Sequence, residues 1–248
     1  MSMNKPAIEA AVSVLANNMR IYVEAQMRFS ELFKVDREEA INNIDRAFEA
    51  KLESLHTLHD VTKPDLPWFD FGDCLLLIAM RNAVHHRNHP LFQSLYARLW
   101  LEGDSDNKAG AAFLLASHKF KVESPLVMEH HFRLEDFRLR LDPDAQSPYL
   151  DTFVKDIRAR HRYRLVAGHL SFEKIYLAGK RDRFPTDQIY LDLIPVFVSA
   201  VGRIFKALKS LGIEFKGFDA GVYLEPFTSE IEVDLTAVAY QTARFPGF

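Results

Sequence analysis

The chain has 248 residues, 48% of them hydrophobic and 26% charged, enough to close one sizeable core or two small ones without a metal or disulfide staple. Ten glycines and eleven prolines exclude a collagen-like, low-complexity or turn-dense all-β chain and leave room for long helices. A formal net charge of -3 excludes an overall basic bias, so contact with nucleic acid must come from a local patch, and the single cysteine excludes an intramolecular disulfide.

Apolar residues at Ile8, Val12, Leu15, Met19, Tyr22 and Phe29 recur at helical steps and predict a helix from about Pro6 to Phe33. Asp36, with Glu39 three residues on, has the form of a capping box for a second helix striped by Ile41, Ile44, Phe48, Leu52 and Leu55. The two should form an antiparallel hairpin. The breakers of TKPDLP end it, and Asp70 or Asp73 can cap a third helix, CLLLIAMRNAVHHRNH, running to Pro90. Cys74 lies in its apolar half and reads as a small buried hydrophobe, which suits a reducing cytoplasm. A fourth helix, PLFQSLYARLWLEG, has Pro90 in its first turn and Gly103 beyond its end, followed by the polar loop GDSDNKAG.

After this outline of an antiparallel four-helix bundle the pattern is less uniform. AAFLLASHKF suits helix or buried strand, and FRLRL alternates as a half-buried strand would. Helical spacing returns from Ser147 to Gly168, and Pro185 to Leu211 reads as one long helix kinked at Pro195 and stopped by Gly212. GVYLEPFTSEIEVDL alternates like a strand pair, with Pro226 confining its first strand to an edge. The expected fold is mainly α: one domain over residues 1–248, a bundle within 1–104 and a C-terminal elaboration with a small β-hairpin. Glu9 breaks the N-terminal apolar stretch and no run of about 18 apolar residues occurs, so neither a signal peptide nor a membrane span is expected.

The third helix carries the chemistry. MRNAVHHRNH packs two arginines, two asparagines and three histidines onto the end of an apolar helix, with Asn82, His86 and His89 on one face and Arg81 and His85 on the adjacent one. Unpartnered burial of such groups would cost a few kcal/mol, so they should open onto a cleft, an interface or solvent. Arg81, Asn82 and His86 spell R-N-x-x-x-H, which resembles the Arg-x4-6-His signature of HEPN domains. Arg162 and Arg164 meet the same loose spacing with His169, but Leu165 follows Arg164 and Gly168 interrupts any helix there.

The resemblance implies a helical bundle, often dimeric, and a metal-independent endoribonuclease of a toxin or defence system, with no cofactor and with a protein antitoxin as a partner. In that chemistry a histidine of ordinary pKa about 6.5 takes the proton of an RNA 2'-hydroxyl, which attacks the adjacent phosphate. His86 would be the base, Arg81 would meet the charge of the phosphorane, and Asn82 would orient them. His85 and His89 would support them from behind, and His86 of a twofold-related copy would protonate the leaving 5'-oxygen. Between Lys155 and Arg183 nine basic residues face three acidic ones, a local +6, and Arg158, Arg160, Arg162, Arg164 and Lys174 are the expected RNA contacts, with Tyr163, Phe172 and Tyr176 placed to stack bases. The alternatives are a non-catalytic helical scaffold or RNA-binding module, and a metal-binding helical protein using His85 and His89 or Glu129, His130 and His131.

Overall fold

The computed structural model describes residues 3–86, 89–102, 109–121, 128–151 and 154–245. Helix α1 (Lys5–Val35) starts where the Asn4 side chain accepts the Ala7 N–H at 3.3 Å, and α2 (Arg37–Thr62) starts where the Asp36 carboxylate accepts the Glu39 N–H at 2.9 Å. The expected stripes are the buried ones: Ile8, Val12, Leu15, Met19 and Tyr22 on α1 meet Ile44, Phe48, Leu52 and Leu55 on α2.

Trp68 follows in a short turn, fully buried, its indole N–H donating to Thr62 Oγ1 at 2.9 Å. Helix α3 (Gly72–His86) then crosses the centre of the molecule with Cys74 to Ile78 buried. Its start is fixed by two side chains. His169 Nδ1 accepts the Gly72 N–H at 3.0 Å, and buried Asp73 accepts the Cys74 N–H while its other oxygen takes the Ser199 hydroxyl at 2.7 Å and Arg203 at 3.3 Å. Arg87 and Asn88, within the expected third helix, lie outside the described residues, as does 103–108 of the polar loop.

The fourth helix is shorter than its spacing predicts. α4 spans Leu95–Trp100, capped by Ser94, and the preceding Pro90 to Gln93 is not helical. Phe92 adopts a positive φ of 61° and its N–H donates to buried Asp136 at 2.9 Å, so the chain turns into the core before the helix begins.

Four strands form one sheet in place of the expected hairpin: β1 (Ala112–Phe120), β2 (His131–Arg133), β3 (Ile189–Asp192) and β4 (Val233–Arg244), in the order β2-β3-β1-β4. β1 runs parallel to β3, with Leu114 opposite Ile189, and antiparallel to β4, with Ala112 opposite Arg244. The remaining helices are α5 (Leu134–Leu141), α6 (Asp156–His169), α7 (Phe172–Arg181), α8 (Ile194–Ser210) and α9 (Phe218–Glu225).

Three expectations are corrected here. FRLRL is helical, because Phe137 and Leu141 fall on a buried face while Arg138 pairs with Glu135 one turn back. The stretch from Pro185 is divided: a short turn and β3 precede α8, and Pro195 sits in the first turn of α8, where its missing N–H costs nothing, rather than at a kink. GVYLE closes α9 and only the residues from Val233 pair as a strand. The protein is mainly helical with a small sheet, and side chains from α1, α2, α3, β1, β3 and α8 share one contiguous hydrophobic cluster across the boundary near residue 104. Among the described residues no helix is long and apolar enough to cross a membrane.

Candidate functional site

The polar end of α3 emerges from the core beside α2. Arg81 donates to Glu53 of α2 through both Nε (2.7 Å) and Nη2 (2.6 Å), and its Nη1 reaches Asn82 Oδ1 at 3.2 Å. The Arg81 side chain is only 15% exposed, and its guanidinium holds the Glu53 carboxyl below the usual carboxylate range. Arg81 and His85 line one open groove of about 440 Å³ between α2 and α3, together with Arg46, Glu49 and Glu53. His85 and His86 are both exposed, their rings 5.5 Å apart. His85, one turn from Arg81, is the imidazole in the groove with it, while His86 points off the next face.

Asn82 faces a second cavity, on the other side of α3, lined also by Phe69, Arg140 and Arg162. His89 is separate from both. It packs against Phe92 and Tyr149, accepts the Leu91 N–H at 3.3 Å, and burial lowers its pKa, with Arg140 adding to the effect.

The basic segment divides between α6 and α7. Arg158, Arg160 and Arg164 are exposed; Arg160 pairs with Asp144 at 2.9 Å, and Lys174 on α7 donates to the Thr236 carbonyl at 2.9 Å. Arg162 lies over the Phe69 ring, 4.8 Å from its centroid, so α6 packs along α3 and brings one expected RNA contact to the cavity of Asn82. The aromatics of the segment turn inward. Phe172 is fully buried, while Tyr163 and Tyr176 are half-buried against the core, the Tyr176 hydroxyl donating to Glu135 at 3.1 Å.

Sequence reasoning missed a buried polar network between the helical hairpin and the sheet. Tyr22 Oη is hydrogen-bonded to His130 Nδ1 at 3.1 Å and accepts from Gln26; the other ring nitrogen of His130 lies 3.2 Å from Asp45 Oδ1, too poorly aligned to be a good hydrogen bond. His130 stacks between Phe48 and Phe132 with centroids 4.3 and 4.9 Å away. Asp192 accepts the backbone N–H groups of His130 and Ile194 and the Ser117 hydroxyl, yet burial still raises its pKa. Lys51 is buried with its ammonium over the rings of Tyr22, Phe197 and Phe48, at 3.6, 4.3 and 4.5 Å, and burial holds its pKa well below the ordinary lysine value.

Of the metal-ligand sets considered from sequence, His130 is hydrogen-bonded to Tyr22 through Nδ1 and stacked between Phe48 and Phe132, while His131 turns toward Glu129 at 3.9 Å, along a broad groove by β4. Among the described residues the group with metal-ligand spacing is instead His56, His59 and Asp60 on α2. The signal for it was present as H-x-x-H-D. Comparison with protein-family models, with curated proteins and with solved structures finds no match to this chain.

Proposed function

We propose that the protein is a metal-independent endoribonuclease of HEPN type, cleaving RNA by attack of a 2'-hydroxyl on the adjacent phosphate at the polar end of α3. The observation that carries this reading is the meeting at that end of Arg81 with an exposed histidine pair beside an open groove, while α6 brings Arg162 to the cavity of Asn82. An RNA strand laid across α3 meets guanidinium groups for its phosphates on both sides of the helix. Arg81, held by Glu53 through Nε and Nη2, donates one Nη1 N–H to Asn82, and the second N–H of Nη1 would meet the charge that grows on the phosphorane. His86, or its neighbour His85 in the groove with Arg81, accepts the 2'-hydroxyl proton. A second copy across a twofold axis supplies the acid for the 5'-oxygen, and a protein antitoxin would act by covering this end of α3.

One observation favours the second reading, a non-catalytic scaffold or RNA-binding module: the two-point Arg81–Glu53 ion pair already engages the guanidinium. Rates on a generic single-stranded RNA decide between them. Arg81→Ala and at least one of His86→Ala and His85→Ala should lower cleavage by about 100- to 10,000-fold with circular dichroism unchanged. His161→Ala, an exposed position on α6, is the control. His169→Ala is unsuitable, because His169 holds the first N–H of α3. Equal rates for the wild type and all three α3 variants would overturn the ribonuclease reading at this site.

A further inference from the structure

His56, His59 and Asp60 stand at steps of three and four on the last turns of α2 and share one helical face. One ligand atom from each lies within 4.8 Å of the others. His56 Nδ1 is 3.3 Å from Asp60 Oδ2, and His59 Nδ1 is 3.5 Å from Asp60 Oδ1. His59 is only 5% exposed, yet neither of its ring nitrogens has a hydrogen-bond partner, the approach to Asp60 being too poorly aimed to count. Buried polar atoms in protein interiors are as a rule partnered, and here the orphan Nδ1 of the buried His59 ring stands beside the Asp60 carboxylate, with His56 next to it, a position that a ligand shared with them would fill.

The surroundings suit a cation. The His59 ring is held by the Trp68 and Phe69 rings at 5.3 and 5.2 Å, while the Asp60 side chain is 46% exposed and leaves a path from solvent. The site lies at the C-terminal end of α2, where the helix dipole favours positive charge. Of the charged neighbours, Glu53 attracts a cation, whereas Arg81 and Lys63 repel one, and Lys63 now holds Asp60 Oδ1 at 3.0 Å.

We propose that His56, His59 and Asp60 bind one divalent transition-metal ion of the zinc class, with water completing the coordination. Two imidazoles and a carboxylate select such an ion over calcium or magnesium, which take oxygen ligands. Ligands about 2.1 Å from zinc stand about 3.4 Å apart, close to the 3.3 and 3.5 Å between the two imidazoles and Asp60, so binding needs Asp60 to be drawn away from Lys63 more than it needs the cluster to close. The proposal does not rest on the ribonuclease reading, and its test is independent of cleavage.

The experiment uses the tag-free full chain, stripped with chelator, titrated with zinc against a chromogenic chelator and with cobalt(II) followed by absorption and tryptophan emission. One equivalent of zinc should bind, and cobalt should quench emission from Trp68, whose ring meets that of His59. Asp60→Asn and His56→Gln, at positions that are not fully buried, should each weaken zinc about 10- to 100-fold, by analogy with losses of supporting ligands. His59→Ala should abolish binding, and where that variant fails to fold the other two decide. No stoichiometric zinc, or equal affinity in the wild type, Asp60→Asn and His56→Gln, overturns the proposal. Cleavage activity should persist in excess chelator while the melting temperature falls.

Discussion

Single side chains set the acid limit of this fold. Burial pushes His118 and His131 down to about 4, against about 6.5 for an unfolded histidine. Between those values the unfolded chain binds protons that the folded chain refuses, so stability is lost as pH falls from about 6.5 to about 4 and levels below that. Each histidine contributes on the order of 3 kcal/mol to the loss. Melting temperatures measured from pH 7.5 to pH 4 should show this slope, and His118→Leu should flatten it, since neither ring nitrogen of His118 has a hydrogen bond to lose. An unchanged slope in that variant would place the proton uptake elsewhere. The residue scale is also where the sequence was least legible. Arg81, Asn82 and His86 are adjacent in the chain and could be read together, but Tyr22, Asp45, His130 and Asp192 meet only because the sheet packs against the helical hairpin. No spacing rule joins positions so far apart, and the three-residue cluster on α2 was overlooked although its spacing was plain.

At the scale of elements, legibility followed the length of the pattern. Helices α1 and α2 repeat their apolar stripe over many turns, and their caps at Asn4 and Asp36 sit at or beside the expected starts. Short elements gave two or three apolar positions each, too few to separate period two from period 3.6, which is why α5 resembled a strand and β3 merged with α8. Placing these elements against one another depends on close approaches. A Cβ on Gly72 would stand 2.7 Å from His169 Cβ, 3.0 Å from the Leu165 carbonyl and 3.1 Å from Val166 Cα, so α3 and α6 touch backbone to backbone. Gly72→Ala must push α6 away and should destabilise by about 1 to 3 kcal/mol. For a chain of this size each kcal/mol corresponds to about 2 to 4 °C in melting temperature, readable by calorimetry. A variant as stable as wild type would show that the contact yields without cost.

For the whole molecule, the ribonuclease reading calls for an assembly, because one catalytic histidine per chain cannot easily serve as both base and acid for the same phosphate. Sedimentation at micromolar concentration with RNA present should therefore give a dimer. A strict monomer that still cleaves would require a one-histidine mechanism.

The pairing of β1 with both β3 and β4 also has a consequence for synthesis. β1 leaves the ribosome before both of its partners, its parallel neighbour β3 and its antiparallel neighbour β4, which places Arg244 opposite Ala112. The α1–α2 hairpin rests on contacts local in the chain, yet the apolar face it shares with α8 stays uncovered until α8 itself has been translated. Each nascent chain thus carries an exposed hydrophobic surface and an unpaired strand through much of its birth, the condition under which chaperones are recruited and neighbouring chains on a polysome aggregate.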